Sequence, residues 1–260
     1  MNIKKLVALL LAAVMLLSLA ACGDDSNTDG TKPNGDHSAQ QGSNGNSENG
    51  ETSSSGENQA NQGGNGQGNA DYPVLKEITV EALANYPVAQ EGDFLYDISD
   101  SGNGIRVHTY TGSNEIVVIP DTIDGKVVEQ IASYTFANDS AVKAVVIPDT
   151  VATLQEVFIN NTSIEVVIAK GVINVEYGTF CNCPVLKSVV LSEKLTKIGE
   201  SAFFSCTKLA ELHIPASMTQ MDEAAQAMAF FCCDNLTIYG EAGSFIETVC
   251  TEQGIPFVAE

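Results

Sequence analysis

The 260-residue chain has no tryptophan, three histidines, and 12 lysines and arginines against 33 aspartates and glutamates. A formal charge of −21 provides no basic patch for a phosphate backbone, which argues against nucleic acid as a partner. Beyond residue 71 the balance is 25 acidic to 9 basic residues, or −16. No Asp-x-Asp-x-Asp-Gly loop accompanies this acidity, so it reads as solubility rather than calcium binding. His108 and His213 are the only histidines after residue 71. Neither belongs to a Gly-x-Ser-x-Gly, His-Glu-x-x-His or phosphate-loop pattern, and the chain reads as non-catalytic, with no cofactor.

The sharpest deficit lies between residues 24 and 71, where Val, Ile, Leu, Met, Phe and Tyr are all missing. A segment rich in Gly, Ser, Asn and Gln cannot build a core, so residues 22–71 are expected to be a disordered tether with a root-mean-square reach on the order of 40 Å. Ahead of it, Lys4 and Lys5 precede an apolar run from Leu6 to Leu17, followed by Leu19, Ala20, Ala21 and Cys22. As a helix, residues 6–21 would span about 24 Å against a hydrocarbon core of roughly 30 Å, so a cleaved signal peptide over residues 1–21 is favoured over a membrane span. The Leu19-Ala20-Ala21-Cys22 stretch resembles the lipobox of bacterial lipoproteins. That resemblance implies acyl chains of the palmitate kind on Cys22, the membrane as a partner through an N-terminal diacylglycerol, and a location on the outer face of the cell membrane. The other reading is an ordinary secretory signal cut after an Ala-x-Ala-like site, which leaves Cys22 a spare thiol.

After residue 115 the chain repeats itself. Phenylalanines fall at Phe136, Phe158, Phe180, Phe203 and Phe230, and a second series of Ile119, Ile147, Ile168, Leu191, Ile214 and Ile238 closes the apolar stretches. Both columns share a period of about 23 residues, which signals stacked supersecondary units. Within the units, Val142, Val145 and Ile147, then Leu186, Val189 and Leu191, then Leu209, Leu212 and Ile214 repeat a Leu-x-x-Val-x-Leu strand pattern. Three residues after the phenylalanines stand Asp139, Asn161, Cys183, Cys206 and Cys233, a column of small polar groups suited to unpaired backbone at an inward turn.

The segments 146–151 (Val-Ile-Pro-Asp-Thr-Val) and 197–203 (Lys-Ile-Gly-Glu-Ser-Ala-Phe), with Cys206 and Leu209 following, resemble the BspA-type leucine-rich repeats of bacterial surface proteins. The likeness covers roughly residues 93–260. Ala169 and Ser192 depart from it where proline is usual, and the unit containing Phe158 reads as one residue short. The resemblance implies a repeat solenoid poor in helix, with one stacked parallel β-sheet, short return segments, an N-terminal hairpin cap and a C-terminal helical cap. The expected boundaries are a lead-in and cap over 72–115, repeats over 116–240 and a closing cap over 241–260. Residues 94–110, with Ser101-Gly102-Asn103-Gly104 at a turn, predict the hairpin, and residues 244–251 predict the helix.

The repeat accounts for Cys183, Cys206 and Cys233 and assigns no role to Cys181, Cys232 and Cys250; structural thiols, disulfides and a metal site stay open, although a lone Cys-x-Cys is weak evidence for metal. By the alternation of side chains along a strand, the residue before each closing Ile or Leu should face outward. That rule selects Val118, Val146, Val167, Val190 and His213, flanked by Glu165, Ser188 and Glu211. Such a row is either β-propensity in a crowded sheet or an apolar contact strip for an extracellular protein or glycan. The family resemblance implies adhesion or recognition; a solute-capture lipoprotein for a transporter and a purely structural surface coat are the competing readings.

Overall fold

Branched residues in short runs punctuate the chain, and many of these runs are strands in the computed structural model, which describes residues 72–138 and 141–260. The leader, Cys22, the tether and Asp139 lie outside the described residues. A short helix α1 (Val80–Leu83), capped by the Thr79 hydroxyl accepting from the Ala82 N–H, precedes a hairpin of β1 (Phe94–Ile98) and β2 (Ile105–Tyr110). Gly102 takes a left-handed conformation (φ 77°) at the bend. The solenoid follows, with β3 (Ile116–Val118), β4 (Thr122–Ile123), β5 (Lys126–Ile131), β6 (Ala144–Val146), β7 (Thr153–Leu154), β8 (Val166–Ala169), β9 (Asn174–Val175), β10 (Ser188–Leu191), β11 (Lys197–Ile198) and β12 (Glu211–His213). Helix α2 (Glu223–Met228), β13 (Thr237–Gly240), helix α3 (Phe245–Gln253) and β14 (Phe257–Ala259) complete it. The hairpin and the closing helix are as the sequence predicts. Helix α3 stops at Gly254, whose left-handed φ of 72° caps it.

The main strands stack in parallel as β3-β6-β8-β10 and then as β12-β13-β14, and a second, narrower parallel ladder joins β7, β9 and β11 along the return segments. The ladder is interrupted between β10 and β12, which fall in separate sheets. The hairpin caps the first coil because β2 pairs in parallel with β5, giving a mixed sheet β1-β2-β5-β4. Coils approach closely enough at Gly171 that a Cβ there would overlap the carbonyl of Asp149 in the preceding coil.

The phenylalanine column is the spine of the core. Phe136, Phe158, Phe180, Phe203 and Phe230 stack in sequence with ring centroids 5.6, 5.3, 5.1 and 5.7 Å apart. Tyr110 and Phe94 extend the column into the hairpin. Each such pair contributes about 0.5–1.5 kcal/mol beyond the area it buries. Beside the rings, the inward turn column satisfies backbone that no strand reaches. Asn161 donates its amide to the Phe136 carbonyl at 2.8 Å and accepts from the N–H groups of Ser163 and Ile164. Cys183, Cys206 and Cys233 donate their thiols to the carbonyls of Phe158, Phe180 and Phe203 at 3.1, 3.0 and 2.9 Å. All six described thiols are free. Cys232 takes a role the sequence left unassigned: it stands two residues after Phe230 with φ 62°, where Asn138, Asn160, Asn182 and Ser205 hold the same left-handed turn in earlier coils.

One column is corrected by a residue. Val167 is fully buried, pairs with Val145 and Val189, and points into the core; the outward position of its coil is Ile168, in register with Val146 and Val190. The closing inward position there is Ala169, also fully buried. The coil is therefore not short by a residue: alanine stands where an Ile or Leu stands elsewhere, and counting from Ile168 inverts the alternation. Ile238 likewise pairs with Leu212 in the middle inward column, and Gly240 holds the closing position.

Candidate functional site

Correct register gives one outward column running the length of the solenoid: Val118, Val146, Ile168 and Val190, then His213, Tyr239 and Val258. Its two halves meet different fates. Over β3, β6 and β8 the column and its neighbours Ile116, Ala144 and Val166 are covered by residues 72–88, a strap that crosses the outward face. Leu83 and Tyr86 are buried in that contact, and Tyr72, Leu75, Ile78 and Val80 pack around them. Tyr72 and Tyr86 stack with centroids 6.1 Å apart, and the Tyr86 hydroxyl donates to the Pro73 carbonyl at 3.2 Å. Burial, with Tyr72 and Glu115 nearby, pushes the Tyr86 phenol above its ordinary range. The strap's far end is fastened by the Ala89 N–H donating to the Val118 carbonyl at 2.9 Å. An exposed row of valines is thus absent over these three strands, because the chain buries it against itself.

The other half is open. A groove of about 940 Å³ runs along β10, β12 and β13 at the interruption of the ladder, with Val190, His213 and Tyr239 in its floor. The His213 ring stacks on Tyr239 with centroids 4.9 Å apart and planes 16° apart, and its Nδ1 lies 2.7 Å from the Glu260 carboxylate. Glu193, Glu211 and Glu241 line the same groove, and Lys187 is its one lining lysine or arginine. Lys187 is engaged with Glu165 at 2.6 Å. That pair belongs to a row at the strand entrances, where Lys143 also meets Glu115 at 2.8 Å.

The residues expected at a contact strip therefore separate. His213 and Glu211 line the groove, Val190 sits where the groove meets the strap, Val146 lies beneath the strap, Glu165 is tied to Lys187, and Val167 is in the core. Sequence reasoning missed Tyr239, Glu193, Glu241 and Glu260. The signal for Tyr239 was its place one step along the repeat from His213; the misplaced closing residue at Ile238 concealed it. His108 lies apart, in a smaller cleft of about 480 Å³ where Arg106 makes a two-pronged ion pair with Asp97 at 3.1 and 2.8 Å. Among the described residues no three His, Cys, Asp or Glu side chains converge as metal ligands, and no helix is long and apolar enough to cross a membrane.

Parallel strands stacked at one per coil, a continuous phenylalanine spine and a turn column of Asn and Cys define a leucine-rich-repeat solenoid. The chain belongs to the family described as BspA type leucine rich repeat region, whose model matches six copies within residues 107–238. It is similar to a solved leucine-rich repeat protein of T. pallidum, with 25% identity and a TM-score of 0.54 over 59% of this chain and 71% of that one. A leucine-rich repeat protein from Bacteroides ovatus matches at 23% identity with a TM-score of 0.47, over 60% of this chain and 47% of that one. A leucine rich cell surface protein from Faecalibacterium prausnitzii matches at 25% identity with a TM-score of 0.49, over 60% of this chain and 39% of that one. No curated protein matches the chain.

Proposed function

We propose that this chain is a lipid-anchored protein-interaction module of the bacterial cell surface, held by a diacylglycerol on Cys22 and carried clear of the membrane on the tether. Its role is adhesion or recognition, and it carries out no catalysis. The observation that carries the reading is the divided outward face. The chain closes the apolar half with its own strap and leaves open a groove lined by a stacked histidine and tyrosine. Solenoids of this kind bind through such extended faces, which neighbouring repeats keep rigid. An aromatic floor rimmed by polar side chains is the composition of an interface centre. Two acyl chains on Cys22 would make a stable anchor, where one chain is marginal.

The test of the anchor is fractionation of cells that produce the Cys22→Ser variant. Fed labelled palmitate, the wild-type chain in the membrane fraction should carry label that the Cys22→Ser variant lacks; a wild-type chain without label overturns the lipid anchor. Protease added to intact cells should degrade the wild-type chain, and protection from it would overturn the outward location.

A further inference from the structure

The open half of the outward face selects the chemistry of what it takes. We propose that the groove over β10, β12 and β13 receives an arginine-bearing extended segment of a partner protein, with its guanidinium groups reaching the carboxylates of Glu193, Glu211 and Glu241. This rests on the interaction reading above and deepens it.

Three observations converge on that occupant. The face is an unpartnered sheet surface continuous with an interface already formed: Val190, at the groove's near wall, is also packed at the edge of the strap contact. A chain entering the groove therefore extends a line of packing that the strap begins. Second, the charge is one-sided. Glu193, Glu211, Glu241 and Glu260 line the groove, while Lys187, its one lysine or arginine, is engaged by Glu165. Among the described residues the carboxylates of Glu193, Glu211 and Glu241 face no cation, and an anionic partner would meet uncompensated repulsion. Third, the groove carries stacked rings. Tyr239 has His213 stacked on one side and Val258 in register on the other, so it offers no free face to the apolar side of a sugar ring. A planar guanidinium packs on the exposed imidazole of His213 while its fork of N–H donors reaches carboxylates such as Glu211. Lysine, a hydrated point charge, gains less there.

The test uses the full-length protein and a fluorescein-labelled nine-residue peptide alternating arginine with valine. Comparison peptides replace arginine by citrulline or by lysine. Fluorescence anisotropy in 150 mM salt should give saturable binding of the arginine peptide, weakened at least tenfold by citrulline and severalfold by lysine. The Glu211→Lys, Glu241→Lys double variant should lose the arginine peptide by tenfold or more. The Glu223→Lys, Glu252→Lys variant, which changes the net charge equally at exposed positions outside the groove, should retain it within a factor of two. Equal loss in both variants, equal binding of the citrulline peptide, or no saturable binding overturns the proposal. A photo-crosslinking residue at position 216, an exposed alanine lining the groove, on intact cells separates this failure from that of the interaction reading. Adducts to a partner segment without arginine sink the chemical class and leave the interaction surface standing; absence of any protein adduct counts against both.

Discussion

Phe158 and Phe180 stack with their ring centroids 5.3 Å apart and their planes 8° apart, both fully buried, one coil above the other. The relation repeats from Phe136 to Phe230, so removing one ring leaves a void flanked by rings that cannot close on each other. Phe180→Ala is expected to cost about 3–5 kcal/mol, the usual range for a truncated core aromatic. Chemical denaturation measures it, and a loss below about 1 kcal/mol would mean the column does not hold the coils together.

The register at the third coil makes a prediction that separates adjacent residues of one run. Val167→Lys places a charge in the core and should cost about 4 kcal/mol or more, whereas Val190→Lys, outward and only partly covered, should cost about 1 kcal/mol. Equal costs for the two would return Val167 to the outward face.

The strap covers apolar surface that would otherwise be a patch of the size that drives association. Leu83→Ala should destabilise the domain by about 2–5 kcal/mol and raise binding of a hydrophobic dye, because Ile116, Val166 and Ile168 lose their cover. A melting temperature and dye signal unchanged from wild type would detach the strap from the fold.

Much of this architecture was legible in the residues. Phenylalanine spacing gave the coil period, and the Asn and Cys column gave the inward turn, because a core ring and a buried hydrogen bond each tolerate few substitutes. The outward column was harder, since Ala169 is too small to read as a closing residue and Ile168 beside it is large enough to be mistaken for one. The strap was hidden for another reason. Leu75, Ile78, Leu83 and Tyr86 have no repeat to align with, and only their packing against a distant sheet gives them a role. Strands of two residues, such as β7 and β9, are too short for any alternation to show.

Buried thiols make the fold sensitive to alkali. Burial pushes Cys183 up to about 12, and Cys181 and Cys250 up to about 11. Unfolded thiols ionise near about 8.5. Below that pH both states hold their protons and the thiols contribute fully to stability. Above it the unfolded chain binds fewer protons than the folded one, so stability falls as pH rises toward the folded values. The denaturation midpoint should be lower at pH 10.5 than at pH 8, and Cys183→Ser should show a smaller drop. An identical drop in both proteins would remove Cys183 from the account.

The proposed interface is the open half of the outward face, not the return side of the coils. A photo-crosslinking residue placed at Tyr239, in the groove, and separately at Tyr177, an exposed position on the turn following β9, tests it in cells that display the chain. Discrete protein adducts are expected from position 239 and none from position 177. Adducts from 177 with none from 239 would contradict it and move the interface to the other side of the solenoid.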